Sequence, residues 1–210
     1  MSVFIKICGI CSKGDLEQIC SLEPDAVGFV FYPESKRYVR PAQVARWFGN
    51  VPDEIRRVGV FVEPSAGEVE EIARTCHLDV IQIHMRSAGW KLDRALYEGL
   101  DIWLAPRFNE NPGAEILRAV TPSPAAIVVD SFNEKTIGGT GELVDASIAA
   151  GAKKTFAKPI LLAGGLTPDN VRDAIAAAQP WGVDVSTGVE TEPGVKDIRK
   201  VKQFIQTARK

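Results

Sequence analysis

Apolar residues gather along this chain in eight short runs rich in β-branched side chains: VFIKICG (3–9), AVGFVF (26–31), RRVGVFV (56–62), VIQIH (80–84), DIWLAPRF (101–108), AAIVVD (125–130), ILLAG (160–164) and GVDVSTG (182–188). Runs this short and this continuously apolar suit strands buried on both faces. Between them the spacing becomes helical, as in AGEVEEIARTC (66–76) and TPDNVRDAIAAA (167–178), the second opening on Thr167 as N-cap and Pro168 in the first turn. Strands that alternate with helices form a parallel sheet covered by those helices. Eight such repeats in 210 residues favour a compact (β/α)8 barrel, the TIM barrel, over an open doubly wound sheet. The fifth unit is the least regular, because NENPGAEILRAVTPSPA has to hold a short helix between proline-rich ends. No linker or low-complexity stretch divides the chain, so residues 1–210 are expected to form a single α/β domain.

Composition narrows the function classes. A formal net charge of −2 with no basic run leaves little electrostatic footprint for nucleic acid or an anionic membrane. An anion bound here must be held locally. The segment MSVFIKICGI lacks a basic n-region and an apolar stretch of signal-peptide length, and nothing approaches the roughly 20 apolar residues of a membrane span. A cytoplasmic protein is expected, in a reducing compartment where Cys8, Cys11, Cys20 and Cys76 stay free thiols. Cys8 and Cys11 have the spacing of a redox couple or half a zinc site. Cys20 and Cys76 are isolated, however, and His77 and His84 offer no second ligand pair at recognisable spacing. No metal and no cofactor is expected.

In a barrel, chemistry gathers at the C-terminal ends of the strands. Alternation along the first strand puts Phe4, Lys6 and Cys8 on one face and Ile5 and Ile7 on the other, so Cys8 points inward at the top while Cys11 lies beyond the turn. Asp130 closes the sixth run and His84 the fourth, with Gln82 on the same face. Each has an ordinary alternative: inert packing for Cys8, a turn cap for Asp130, a hydrogen-bonded packing residue for His84. A thiol, an acid and an imidazole at three strand tops together suit proton transfer. Phosphate binding is better marked, because LLAGGLTPDN carries Gly164 and Gly165 from a strand into a helix and DVSTGVETEPG carries Ser186, Thr187 and Gly188 toward a short turn. Barrels commonly hold phosphate on backbone N–H groups between the last two loops. A third glycine loop, TIGGTGE (136–142), follows the sixth strand and matches neither a Walker loop nor a dinucleotide fingerprint.

Read in order, KICGI, GFVFYPESKRYV, GVFV, IQIH, VVD followed by GGTGE, LAGGLTPDNV and GVDVSTGVETEPGVKD resemble phosphoribosylanthranilate isomerase of tryptophan biosynthesis across nearly the whole chain. The resemblance implies a (β/α)8 barrel without metal or cofactor. It also implies an Amadori rearrangement of N-(5-phosphoribosyl)anthranilate to the carboxyphenylamino-deoxyribulose phosphate, an aldose–ketose isomerisation. By the same resemblance Cys8 is the general base, Asp130 the general acid and Arg37 the group that receives the anthranilate carboxylate. His84 joins Arg37 in substrate binding, Gly138, Gly139, Thr140 and Gly141 form a substrate loop, and Gly164, Gly165, Ser186, Thr187 and Gly188 hold phosphate. The expected partner is the small phosphosugar–anthranilate substrate, with no nucleic acid and no membrane, for a monomer or homodimer.

The residue types fit that chemistry. Asp130 would donate to the ribose ring oxygen and so must start protonated, which a site drier than bulk water favours. Cys8 would then take the C2 proton as thiolate, a form favoured by the iminium cation beside it. Lys6 is expected to pair with Asp184 in a structural role, and Arg37 to grip a planar carboxylate bidentately as Lys36 cannot. Three segments depart from the family pattern. Met85, Arg86 and Ser87 stand where a glycine and an acidic residue usually follow the histidine, and a methionine fits poorly at positive φ, so a differently shaped loop is expected. Val144, Asp145 and Ala146 replace Phe-Asp-Trp at the mouth, and Cys11 and Lys36 replace a frequent threonine and proline. The alternative to the isomerase is a diverged barrel that binds a sugar phosphate without turnover.

Overall fold

A computed structural model describes residues 2–86, 90, 92–93, 99–106, 120–121, 124–130 and 146–210. Its eight parallel strands are β1 (Phe4–Cys8), β2 (Ala26–Val30), β3 (Arg56–Val62), β4 (Val80–His84), β5 (Asp101–Ala105), β6 (Ala126–Val129), β7 (Ile160–Leu162) and β8 (Gly182–Val185). They close into a barrel in chain order, with β8 paired to β1. All eight apolar runs become barrel strands. Among the described residues the α-helices are α1 (Lys13–Cys20), α2 (Pro41–Val44), α3 (Ala66–Thr75), α4 (Ala146–Phe156), α5 (Val171–Ala178) and α6 (Ile198–Ala208). The expected short helix of the fifth unit falls outside the described residues, apart from Val120–Thr121, which forms a two-residue parallel ladder with Leu92–Asp93.

Local signals set the helix ends. Ser12 accepts from the Asp15 N–H to start α1, Ser65 from Glu68 to start α3, and Asp197 from Arg199 and Lys200 to start α6. Helix α5 begins at Val171, later than expected from Thr167. Residues 167–170 make a turn first, in which the Asn170 carboxamide accepts the Thr167 N–H at 2.8 Å and the Thr167 hydroxyl accepts the Asp169 N–H at 3.3 Å. Thr167 therefore still caps orphan donors, one turn earlier than the regular helix. Helix α6 lays Val201, Phe204, Ile205 and Ala208 against the barrel, the one-sided spacing its sequence carries.

Alternation along the strands divides the interior. Ile5, Ile7, Val27, Phe29, Ile81, Ile83, Ile127 and Val183 face outward into the layer shared with the helices, and the other face fills the barrel. Followed round the ring, the pairing register stacks the inward residues in layers. Lys6, Val58, Trp103 and Leu161 make one layer. Above it lie Gly28, Gln82, Val128 and Asp184, then Cys8, Val60, Ala105 and Ala163, then Val30, His84, Asp130 and Ser186 at the rim. Below, Phe4 stacks on Trp181 and meets Trp103 edge-on, while the Arg56 guanidinium lies over Trp103. The lower barrel is thus an aromatic plug, and the open space lies above it.

The Lys6 ammonium reaches up to Asp184 at 2.7 Å, both groups inside the barrel. This is the expected pair, and Asp184 holds the Lys6 ammonium above its ordinary pKa against the opposing effect of burial.

Candidate active site

At the C-terminal ends of the strands a cleft with about 840 Å³ of empty space, counted out to its open mouth, is lined by Cys8, Arg37, His84, Asp130, Gly164, Gly165, Ser186, Thr187 and Gly188. These are the expected site residues that lie among those described, and all of them meet in one cavity. Gly138, Gly139, Thr140 and Gly141 lie outside the described residues, as do Ser87, Val144 and Asp145. Cys11 faces away from the cleft, its sulfur directed at the Gly9 and Arg37 carbonyls. Cys8 and Cys11 therefore belong to different environments, and no metal-ligand cluster occurs among the described residues.

Cys8 ends β1 and is buried. A Cβ placed on its β2 neighbour Gly28 would fall 2.8 Å from the sulfur and 3.0 Å from the Lys6 Cε, so this glycine supplies the room for both side chains. Burial pushes the Cys8 thiol above its ordinary pKa, with the Lys6 ammonium pulling the other way. Asp130 stands one residue past β6 and lines the same cleft. His84 ends β4, and burial with the nearby Lys6 and Arg86 charges lowers its pKa to about 4. It is neutral at pH 7, and its Nε2 lies 3.2 Å from the Gln82 amide nitrogen.

Arg37 is engaged by a residue of the protein. Its Nε and Nη2 donate to the two Glu190 carboxylate oxygens at 2.8 and 2.7 Å, and Nη2 also reaches the Thr187 hydroxyl at 3.3 Å. The bidentate grip is already spent on a residue of the protein, and Nη1 is the nitrogen with no hydrogen bond to a described residue. Glu190 is shared with Lys196, whose ammonium donates to it at 2.8 Å and to the Ser186 carbonyl at 3.2 Å. Hydrogen bonding from Arg37 and the Lys196 charge hold the Glu190 carboxyl below its ordinary pKa although burial opposes them. Glu190 and Lys196 belong to a two-stranded hairpin, Glu190–Glu192 with Val195–Lys196. Sequence reasoning assigned a role to neither residue. Glu190 and Glu192 look alike in sequence, and only the hairpin pairing turns the first inward.

The loops after β7 and β8 meet closely. Gly164 and Gly165 adopt φ of +84° and +63°, backbone that glycine enters without penalty. Ser186 leads into a 3-10 turn at Thr187–Val189. A Cβ on Gly188 would fall 1.9 Å from the Leu166 carbonyl oxygen, so the two loops touch backbone to backbone. The loop after β4 is described at its start, Met85 and Arg86. Met85 is buried without positive φ, and its N–H extends the ladder to the Ala105 carbonyl at 3.0 Å. Arg86 crosses the mouth, its Nη2 on the Tyr32 hydroxyl at 2.7 Å and its guanidinium 4.9 Å from that ring.

A family model described as N-(5'phosphoribosyl)anthranilate (PRA) isomerase matches residues 5–207. The N-(5'-phosphoribosyl)anthranilate isomerase of Geotalea uraniireducens is 38% identical over 205 residues, covering 98% of each chain. Phosphoribosyl anthranilate isomerase from Thermotoga maritima superposes with a TM-score of 0.83 at 34% identity, again over 98% of both chains. A phosphoribosyl anthranilate isomerase crystallised with reduced 1-(o-carboxyphenylamino)-1-deoxyribulose 5-phosphate superposes with a TM-score of 0.79 at 32% identity and the same coverage.

Proposed function

Given that the chain belongs to the N-(5'-phosphoribosyl)anthranilate isomerase family, we propose that Cys8 is its general base, Asp130 its general acid and Arg37 its carboxylate anchor. The reaction is the isomerisation of N-(5'-phosphoribosyl)anthranilate in tryptophan biosynthesis. We assign it to the aldose–ketose class of intramolecular oxidoreductases, on one domain spanning residues 1–210, acting in the cytoplasm as a monomer or homodimer.

Asp130 gives its proton to the ribose ring oxygen as the C1–O bond breaks, leaving an iminium at C1. Cys8, as thiolate, takes the C2 proton, and the C2–H electron pair moves into the C1–C2 bond to neutralise the iminium as an enolamine. Tautomerisation then gives the ketose. Burial raises the resting thiol's pKa; its proton is released to solvent before the C2 step, and the new positive charge at C1 favours the thiolate that takes the C2 proton. The Nη1 edge of Arg37 meets the anthranilate carboxylate, and neutral His84 completes the wall beside the sugar. The phosphate lies against backbone N–H groups around Gly164, Gly165, Ser186, Thr187 and Gly188, with Gly138, Gly139, Thr140 and Gly141 as a substrate loop. Only protons move, so neither metal nor cofactor has a part.

The supporting observation is the convergence of Cys8, Asp130, Arg37 and both glycine loops on one cleft. The test is the loss of anthranilate fluorescence on adding protein to freshly made phosphoribosylanthranilate. Protein that binds the reduced product but leaves the substrate unchanged would favour a sugar-phosphate binder instead.

A further inference from the structure

Lys6 and Cys8 stand two positions apart on the inward face of β1, and both side chains lean into the space beside Gly28 of β2. A Cβ at Gly28 would fall 2.8 Å from the Cys8 sulfur and 3.0 Å from the Lys6 Cε, so the end of the lysine and the sulfur are neighbours. A glycine inside a strand weakens it, and here it lets these two groups share one space. Lys6 is fully buried. Its ammonium carries three donors, and Asp184 Oδ2 at 2.7 Å is the one oxygen or nitrogen that it reaches among the described residues. The ion pair therefore accounts for one donor. A thiol is a weak acceptor for the others, whereas a thiolate accepts a charge-assisted bond.

The charges around Cys8 point the same way. Burial is the largest influence on the thiol and disfavours its ionised form; the Lys6 charge comes next and favours it, Asp184 opposes, and Lys196 favours it more weakly. Burial also works against the Lys6 ammonium, and Asp184 keeps it charged all the same, above its ordinary pKa. The other titratable groups near Cys8 among the described residues are Arg37 on the loop after β2, Glu190 on the hairpin, and His84 and Asp130, which line the same cleft at the ends of β4 and β6. Lys6 is the cation that shares the strand and the face of Cys8.

We propose that Lys6 is a positioning residue for the general base, its ammonium holding the Cys8 thiolate from below while the thiolate faces the C2 proton. The thiol proton leaves to solvent, Lys6 keeps its own, and no bond to Lys6 forms or breaks. Asp184 serves this arrangement by keeping the ammonium charged inside the barrel. The thiolate's task rests on the isomerase reading above, but the relation between Lys6 and Cys8 is measured without substrate.

The test reads how much of Cys8 is thiolate, from its rate of alkylation by iodoacetamide at about pH 8, below the ordinary thiol midpoint. The Cys8 peptide is followed by mass spectrometry with Lys6, with Lys6→Met and with Lys6→Met/Asp184→Asn, all carrying Cys11→Ser so that the peptide holds one thiol. Lys6→Met should slow alkylation at least tenfold, the lower end of what an adjacent opposite charge is worth. The double variant also removes the opposing Asp184 charge and should slow it less, by about threefold or more. It leaves no lone buried carboxylate, so it keeps the test open if Lys6→Met folds poorly. In turnover, kcat of Lys6→Met should fall with its acidic limb moved to higher pH by about one unit, while KM stays within about twofold. An unchanged alkylation rate in either folded variant overturns the proposal, as does a loss of kcat of equal size at every pH, which a purely structural lysine would give. A third measurement leaves Lys6 in place: its 13Cε NMR signal should move as the Cys8 thiolate forms and lose that step in Cys8→Ser. A signal that passes unmoved through the thiol titration overturns the proposal too. Coupled Lys6 and Cys8 in a protein that leaves phosphoribosylanthranilate unchanged would overturn the isomerase reading alone.

Discussion

Arg37 and Glu190 lie 153 positions apart in the chain and meet through two hydrogen bonds of 2.8 and 2.7 Å. The fork fixes the plane of the guanidinium, and Lys196 fixes Glu190 from its other side at 2.8 Å. Two cations around one carboxylate leave one unit of positive charge at the mouth.

Glu190→Gln should therefore disturb binding more than chemistry. With one charge-assisted bond weakened, KM for phosphoribosylanthranilate is expected to rise about tenfold while kcat falls less, the worth of roughly 1.5 kcal/mol. Steady-state kinetics decides it. A fall in kcat at constant KM would mean that Arg37 acts on the transition state alone. Arg37→Lys should not recover the loss of Arg37→Ala, because an ammonium lacks the planar fork.

Cys8→Ala and Asp130→Asn should each lower kcat by a factor on the order of 10² or more with little change in KM, as for a positioned acid or base. Cys8→Ser fills nearly the same space with a far weaker acid, so full activity in that variant would remove Cys8 from the chemistry. Burial raises the Cys8 thiol. The thiolate absorbance lost on Cys8→Ser should accordingly appear only on the alkaline side of the ordinary thiol range in the free protein.

Gly188→Ala should separate the loops after β7 and β8, since the new methyl would start 1.9 Å from the Leu166 carbonyl oxygen and neither partner is a flexible side chain. Competitive inhibition by inorganic phosphate should weaken at least tenfold, about 1.4 kcal/mol. Retained phosphate affinity would place the anion elsewhere.

His84 provides a pH signature. Its folded-state pKa of about 4 lies below the unfolded value near 6.5, so the unfolded chain binds the extra proton between those limits. Its contribution to stability is complete above about pH 6.5 and is lost as pH falls through 4. Denaturant midpoints should fall with pH across this window, and His84→Asn should flatten the slope. An NMR titration of the imidazole with a midpoint near 6.5 would contradict the buried neutral ring.

The strand framework was legible because each barrel strand is mostly apolar and each run is bounded by polar or glycine-rich sequence. The strand-top residues followed from alternation alone: Cys8 and His84 point where a period of two puts them. The hairpin cluster was not legible, because charged residues in a glycine- and proline-bearing loop ordinarily face water. Nothing local marks Glu190 and Lys196 as buried, since Arg37, which completes the cluster, comes from the loop after β2. The late start of α5 was hidden for the opposite reason. Thr167 and Pro168 are sound helix-start residues, but the Asn170 side chain competes for the Thr167 N–H and holds a separate turn.

Lys6 and Asp184 are separated by 178 positions, and this has a consequence for how the molecule is made. A nascent chain that has completed seven strands carries a lysine destined for the interior and no counter-charge to accompany it. The ring also lacks the strand that must pair with β1, so the first element synthesised waits for one of the last. The ion pair thus acts as a closure check: partial barrels are penalised in proportion to how dry they become, and only the full-length chain can bury its first strand at low cost. Fragments that end before Gly182 should accordingly remain loosely packed, with Lys6 open to amine-modifying reagents, and the full barrel should shield it.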